Sequence, residues 1–164
     1  APLLDRQPHL AVQEVKPSEM AAVTALASPP EVLLIARTPP PPAALPVDGW
    51  VIGLDTVQDP GNLGTILRIA DWFGVPDVVC SPGCADAWGP KVVAAGMGAH
   101  LRVRIHAAGL EEAVSRYRGP VLAATLDGED VTSATRLPAA MLLVGNESRG
   151  LSAALLPAAT RRVR

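Results

Sequence analysis

A strand that runs through a Pro-Gly turn straight into an amphipathic helix leaves few folds open, and Leu54 to Val75, LDTVQDPGNLGTILRIADWFGV, reads that way. Trp50, Val51, Ile52 and Leu54 supply the strand. In the turn, Pro60 fixes its own φ, Gly61 tolerates positive φ, and Asp59 or Asn62 can cap the helix that follows. Leu63, Ile66, Leu67, Ala70 and Phe73 then recur at helical spacing, with Arg68 outside that stripe. A polar, glycine-bearing turn at the carboxyl end of a strand is where open α/β sheets place their ligands, so a site is expected here.

The rest of the chain repeats the alternation. Asp77 to Ser81 reads as a second strand, closed by Pro82-Gly83, and Pro90 to Ala99 as a small-residue helix containing Gly96 and Gly98. Leu101 to Ile105 alternates apolar residues with arginine, the pattern of a half-exposed strand. Gly109 to Tyr117 is a helix with Glu111 and Glu112 early and Arg116 late, as its dipole prefers. Val121 to Leu126 and Met141 to Val144 read as buried strands, and Leu151 to Leu156 as a short helix ended by Pro157. The expected fold is therefore α/β, a mostly parallel sheet flanked by helices on both faces.

Before this domain the pattern differs. A helix around Ser18 to Leu26 and a strand from Glu31 to Ala36 precede Thr38-Pro39-Pro40-Pro41-Pro42, which reads as an extended spacer. Residues 1–45 are expected to be the end of an upstream module plus linker, and 46–164 the α/β domain. The chain begins at Ala1 and ends in Arg161-Arg162-Val163-Arg164, which reads as a trimmed or partial protein.

Composition removes several function classes. The formal charge of -2 means that a nucleic-acid partner needs a local basic patch, with arginine, the forked phosphate binder, making up nearly all the bases. Cys80 and Cys84 bracket Ser-Pro-Gly, and no further cysteine or suitably spaced histidine completes a metal set, so no metal is expected. No apolar run of membrane-spanning length and no signal peptide is read, which sets the expectation of a cytoplasmic protein without membrane contact. Dinucleotide-type GxGxxG, P-loop and GxSxG signatures do not occur.

Four polar stretches fall at strand ends: Asp59 to Asn62, Ser81 to Asp86, Thr125 to Asp130, and Gly145 to Gly150. The last, GNESRG, is the most unusual. Its glycines permit close backbone approach, and Glu147 with Arg149 places both charges beside an apolar strand end. On residue type alone these are either solvated turn charges or a site. Asn62 is likewise either a helix cap or a functional amide, and Arg68 either a surface ion-pair partner or a working cation.

The pairing of LDTVQDPGNLGTILRIADWFGV with LLVGNESRGLS some seventy residues later resembles motifs one and two of the SpoU (TrmH-like) ribose methyltransferases, of the SPOUT class. The intervening KVVAAGMGAHLRVRI resembles that family's lysine-led helix and strand, with Gly96 where many members have serine. The resemblance covers about Trp50 to Arg164.

That resemblance implies an α/β domain with a carboxyl-terminal trefoil knot, a homodimer, and S-adenosylmethionine bent in the knot loops. It implies methyl transfer to a ribose 2′-hydroxyl of RNA, with rRNA favoured over tRNA because an upstream module is read. A non-catalytic, dimeric RNA-binding relative is the alternative. By motif position it points to Asn62, Arg68 and Glu147 as catalytic residues, and to Thr125, Leu126, Gly145, Asn146 and Gly150 as the cofactor side. Arg68 is expected to clamp a phosphate rather than act as a base, because guanidinium stays protonated. The family's third motif, Ile-Pro-Met followed by Ser-Leu-Asn, which completes knot and pocket, is not contained in the sequence through Arg164.

Overall fold

Six short parallel strands carry the architecture of the computed structural model, which describes residues 11–24, 28–133 and 135–164. The chain divides into two units, residues 1–37 and 38–164. In the first, α1 (Pro17–Val23) starts at a capping box in which the Lys16 amide donates to Glu19 Oε2 at 2.7 Å. The helix is shorter than expected, and Leu26 lies outside the described residues. The strand expected at Glu31 to Ala36 does not form: Val32, Leu34 and Ile35 are exposed, and no described strand pairs with them. An apolar run makes a strand only where a neighbour takes up its amides.

In the second unit the elements are β1 (Val51–Leu54), α2 (Pro60–Trp72), β2 (Asp77–Cys80), α3 (Pro90–Gly96), β3 (Arg104–Ala107), α4 (Leu110–Arg116), β4 (Val121–Glu129), β5 (Met141–Val144) and β6 (Arg161–Val163). The sheet order is β3-β2-β1-β5-β4-β6, every pair parallel. Helices α2 and α3 cover one face over Ile52, Leu54, Leu63, Leu67 and Val78. Helix α4 covers the other with Val51, Val79, Leu110, Met141 and Leu143, where Leu45 also packs. Each fully buried leucine contributes about 1.5–3 kcal/mol, so both layers are held by burial of small aliphatic side chains.

Three expectations are corrected. The strand read at Leu101 to Ile105 lies three residues later. Met97 and Gly98 both take positive φ, Ala99 to Leu101 continue as a 3-10 turn, and the ladder begins only where the Arg104 amide donates to Pro76 O at 2.8 Å. The helix expected at Leu151 to Leu156 is replaced by turns and a 3-10 segment, Leu156–Ala158, because Asp55 takes up the Ser152 amide and Leu155 turns into the core. Phe73, assigned to the buried stripe of α2, sits at the helix end and is 75% exposed.

Two features went unanticipated. Strand β6 pairs with a β4 that runs on to Glu129, where a Cβ on Gly128 would meet the Val163 backbone. At the amino ends of β2 and β3, buried Asp77 accepts forked hydrogen bonds from Arg104 (2.6 and 2.8 Å) and a third contact from His106 Nε2 (2.8 Å). Burial pushes the Asp77 carboxyl up, but Arg104 and then His106 more than offset it and leave it below the ordinary 3.8. Among the described residues no helix is long and apolar enough to cross a membrane, and no group of His, Cys, Asp and Glu could hold a metal ion.

Candidate active site

Strand order reverses at β1: the chain builds outward through β2 and β3, then returns to lay β4 and β5 on the other side. The carboxyl ends of β1 and β5 are neighbours, Leu54 opposite Val144, so the turns that leave them share one crevice. Those turns are the QDPGN and GNESRG stretches.

The first turn is set by its own chemistry. Asp59 caps α2 by accepting the Asn62 amide at 2.7 Å, with Pro60 in the first turn. That settles which residue caps and leaves the Asn62 side chain free. It reaches 85 residues along the chain and donates from Nδ2 to Glu147 Oε1 at 3.0 Å. Asn62 is the first cause holding the Glu147 carboxyl below its ordinary 4.5. The carboxylate is exposed and ionised at neutral pH.

The second turn is built around Asn146, which is buried. Its backbone pairs in both directions with Gly150, at 3.0 and 2.8 Å, closing a tight loop. Its Oδ1 accepts the amides of Ser148 (3.0 Å) and Arg149 (3.2 Å), and its Nδ2 donates to Thr56 O at 2.8 Å. Gly145 permits this closure, since a Cβ there would collide with the backbone of Gly150 and Leu151. Gly150 takes φ +68 with open space where a side chain would stand.

The structure thus brings Asn62, Gly145, Asn146, Glu147 and Gly150 together. Arg68 does not join that contact. It projects from α2 two turns on, where Nη1 contacts Met97 Sδ at 3.2 Å, and among the described residues neither Arg68 nor Arg149 forms an ion pair. Thr125 lies on β4 two residues beyond its last pair with β5, Ala123–Leu143. Its hydroxyl is buried without a hydrogen bond of ordinary geometry, though it helps hold the nearby Asp127 carboxyl below its usual range. Leu126, expected to line a pocket, is 97% exposed.

Sequence reasoning missed Asp55 and Thr56, and it marked Ser81 only as the start of a polar stretch at a strand end. Asp55 is buried just past β1 and accepts the Ser152 amide at 2.7 Å, bracing the chain that leaves GNESRG. Thr56 has φ +54, costly for a β-branched residue by about 1–2 kcal/mol, and its amide donates to Ser81 Oγ at 2.9 Å. Nothing in the local sequence marks a threonine for this conformation. Only the position of Asp55 to Val57 between a strand and the Pro-Gly turn pointed toward the region.

Known proteins resemble this chain in sequence and fold. The SpoU rRNA Methylase family profile matches residues 49–164. The 23S rRNA (guanosine(2553)-2'-O)-methyltransferase RlmP of Bacillus subtilis is 31% identical over 140 residues, 83% of this chain and 56% of that protein. The AdoMet-bound rRNA methyltransferase of Sinorhizobium meliloti is 33% identical with a TM-score of 0.66, covering 74% of this chain and 49% of that one. The SpoU methyltransferase AviRb of Streptomyces viridochromogenes, in complex with AdoMet, shares the fold at a TM-score of 0.82 and 23% identity, over 98% of this chain and 66% of that one. The chain spans between 12% and 56% of the length of the first curated relatives it matches. With both motif turns meeting at the switch point of a parallel sheet, and a match across most of its length, this chain belongs to the SpoU rRNA Methylase family.

Proposed function

We propose that this chain is the methyl-transferring part of an S-adenosylmethionine-dependent RNA methyltransferase whose target is a ribose 2′-hydroxyl, in rRNA rather than tRNA. The observation that carries the reading is the Asn62–Glu147 hydrogen bond, which joins the two motif turns at the sheet's switch point. The name of the Bacillus relative supports both the 2′-hydroxyl and rRNA.

The cofactor side fits the residues present. The buried Thr125 hydroxyl, close to Asp127, offers a polar partner, and the open space at Gly150 leaves room for a ligand against the turn. Together with Asn146 these residues would hold the group; Leu126 becomes part of that wall only if its exposed side chain is covered. When bound, S-adenosylmethionine supplies a methyl already activated by its sulfonium, so positioning of the ribose oxygen dominates the barrier.

Positioning falls to this chain. Arg68, free of any carboxylate among the described residues, clamps a phosphate of the target strand with its forked donors. Asn62 and Glu147 orient the ribose. A carboxyl held below its ordinary pKa is a weak base, so Glu147 accepts a hydrogen bond from the substrate hydroxyl, and the proton released as the oxygen takes the methyl passes to solvent.

The same reading includes a homodimer, a cytoplasmic setting, and residues 1–45 as the end of an RNA-holding domain. Trp72 (83% exposed) and Phe73 project from the end of α2 with Ile69, and Met97 and Leu101 are exposed on the elements packed against it. A second copy of the chain is the occupant this apolar surface suits.

Calorimetric titration of the full-length protein with S-adenosylmethionine, followed by transfer of labelled methyl to rRNA, tests the proposal. Binding heat and label on a ribose support it. Normal RNA binding with no cofactor heat would instead identify the non-catalytic RNA binder.

A further inference from the structure

We infer that Ser81, which lies outside both motifs, is a positioning residue for methyl transfer, because it holds Thr56 in the left-handed conformation on which the GNESRG turn is built. The inference rests on the proposed function for its kinetic readout, but its geometry stands apart from that reading.

The backbone ladder explains why a side chain is needed. At the end of β1 the Asp55 amide still donates to Val144 O at 2.8 Å, and on β2 the Ser81 amide donates to Leu54 O at 2.9 Å. Thr56 is the next residue, and with φ +54 it turns out of the ladder. Its amide finds the Ser81 hydroxyl oxygen at 2.9 Å. Ser81 is itself anchored by its backbone bond to Leu54, so the acceptor is delivered from a rigid strand end. Gly83, at φ +101, leaves space for the Thr56 methyl; a Cβ there would stand 3.2 Å from it.

The consequence travels through one acceptor. The left-handed turn presents Thr56 O to Asn146 Nδ2 at 2.8 Å, and the same Asn146 amide organises Ser148 and Arg149 through its oxygen. Glu147 sits between Asn146 and Ser148 and meets Asn62, six residues along from Thr56. Ser81, Thr56, Asn146, Glu147 and Asn62 therefore form one continuous line of contacts across the carboxyl ends of β1, β2 and β5. Remove the Ser81 oxygen and the Thr56 amide loses its partner in a conformation that a β-branched residue resists. The turn then relaxes, and Asn146 loses its anchor. Ser81 touches none of the substrate-facing groups, so its effect is on geometry.

This gives a test with an internal rescue. Ser81→Ala in the full-length enzyme should lower kcat about tenfold with KM for RNA little changed, since Arg68 is untouched. Ser81→Thr keeps the acceptor and should restore most of the loss. Adding Thr56→Gly to Ser81→Ala makes the left-handed conformation cheap and should recover kcat to within about threefold of wild type. Hydrogen exchange of the Asn146 side-chain amide, read by NMR, should speed up in Ser81→Ala and slow again in the double variant. A double variant no better than Ser81→Ala, or Ser81→Ala with unaltered kcat and Asn146 exchange, would overturn the inference. If wild type transfers no methyl while the exchange pattern follows Ser81 and Thr56 as described, the positioning holds and the proposed activity fails.

Discussion

Two polar clusters occupy opposite ends of the same sheet, and they are built on opposite plans. At the amino ends of β2 and β3, Asp77, Arg104 and His106 satisfy one another: one buried carboxylate takes two guanidinium bonds and an imidazole. At the carboxyl ends of β1 and β5, the buried groups (Asp55, Asn146) are spent on holding backbone, while Glu147 and Arg149 face solvent, as does Arg68 two turns along α2. The first cluster leaves no charge for a ligand. The second uses its buried polar groups to aim charges outward, which is the arrangement a binding site needs. Charge alone does not separate the two; what the charge is bonded to does.

The sharpest break in this comparison is Arg68→Ala. Loss of the clamp should cut kcat/KM by about 100-fold or more and weaken RNA binding in a filter or anisotropy assay. Lost turnover with unchanged RNA affinity would remove the clamp from the account. Glu147→Gln should lower turnover by about tenfold while leaving the thermal midpoint near wild type, because the side chain is exposed and bonded only at the site.

The other end of the sheet should behave in reverse. Asp77→Asn should cost about 1–3 kcal/mol in denaturant unfolding, through loss of hydrogen bonds to a charged partner, with specific activity of the folded fraction unchanged. Its contribution also carries a pH signature. The folded Asp77 carboxyl lies below 3.8, so its stabilisation is complete above that value and disappears as pH falls through the lower folded pKa. Wild type should lose stability more steeply than the variant in that acid window, because the other depressed carboxyls, Asp71 and Asp127 among them, are common to both.

The smallest effect is a titration shift. The Glu147 carboxyl should titrate below 4.5 in NMR-monitored acidification, and Asn62→Ala should move it back up. An unmoved midpoint would mean that the two motif turns do not meet in solution.

The parts of the fold that could be read from sequence are those determined locally. Helix α2, its Asp59 cap and the flanking strand follow from residues within one turn of each other. That Asn62 and Glu147 belong to one site was expected only through the resemblance of the two motifs; the bond between them, across 85 residues, is a finding of the structure. What escaped depends on partners distant in the chain. Strand β6 exists because β4 extends to meet it, the chain after GNESRG fails to form a helix because Asp55 captures Ser152, and Thr56 turns left-handed because Ser81 is waiting. The alternation at Leu101 to Ile105 misled because Met97 and Gly98 delay the strand, a backbone choice that the apolar pattern does not encode.

If the outward-facing cluster serves methyl transfer to a ribose of RNA, its loss has to show in cellular RNA. Mass spectrometry of nucleosides from a strain lacking the full-length protein, complemented with wild type or Arg68→Ala, tests it most directly. One 2′-O-methylated nucleotide should disappear from rRNA, return with wild type, and stay absent with Arg68→Ala. An unchanged set of 2′-O-methyl nucleosides in rRNA and tRNA alike, or loss of a base methyl instead, would contradict it.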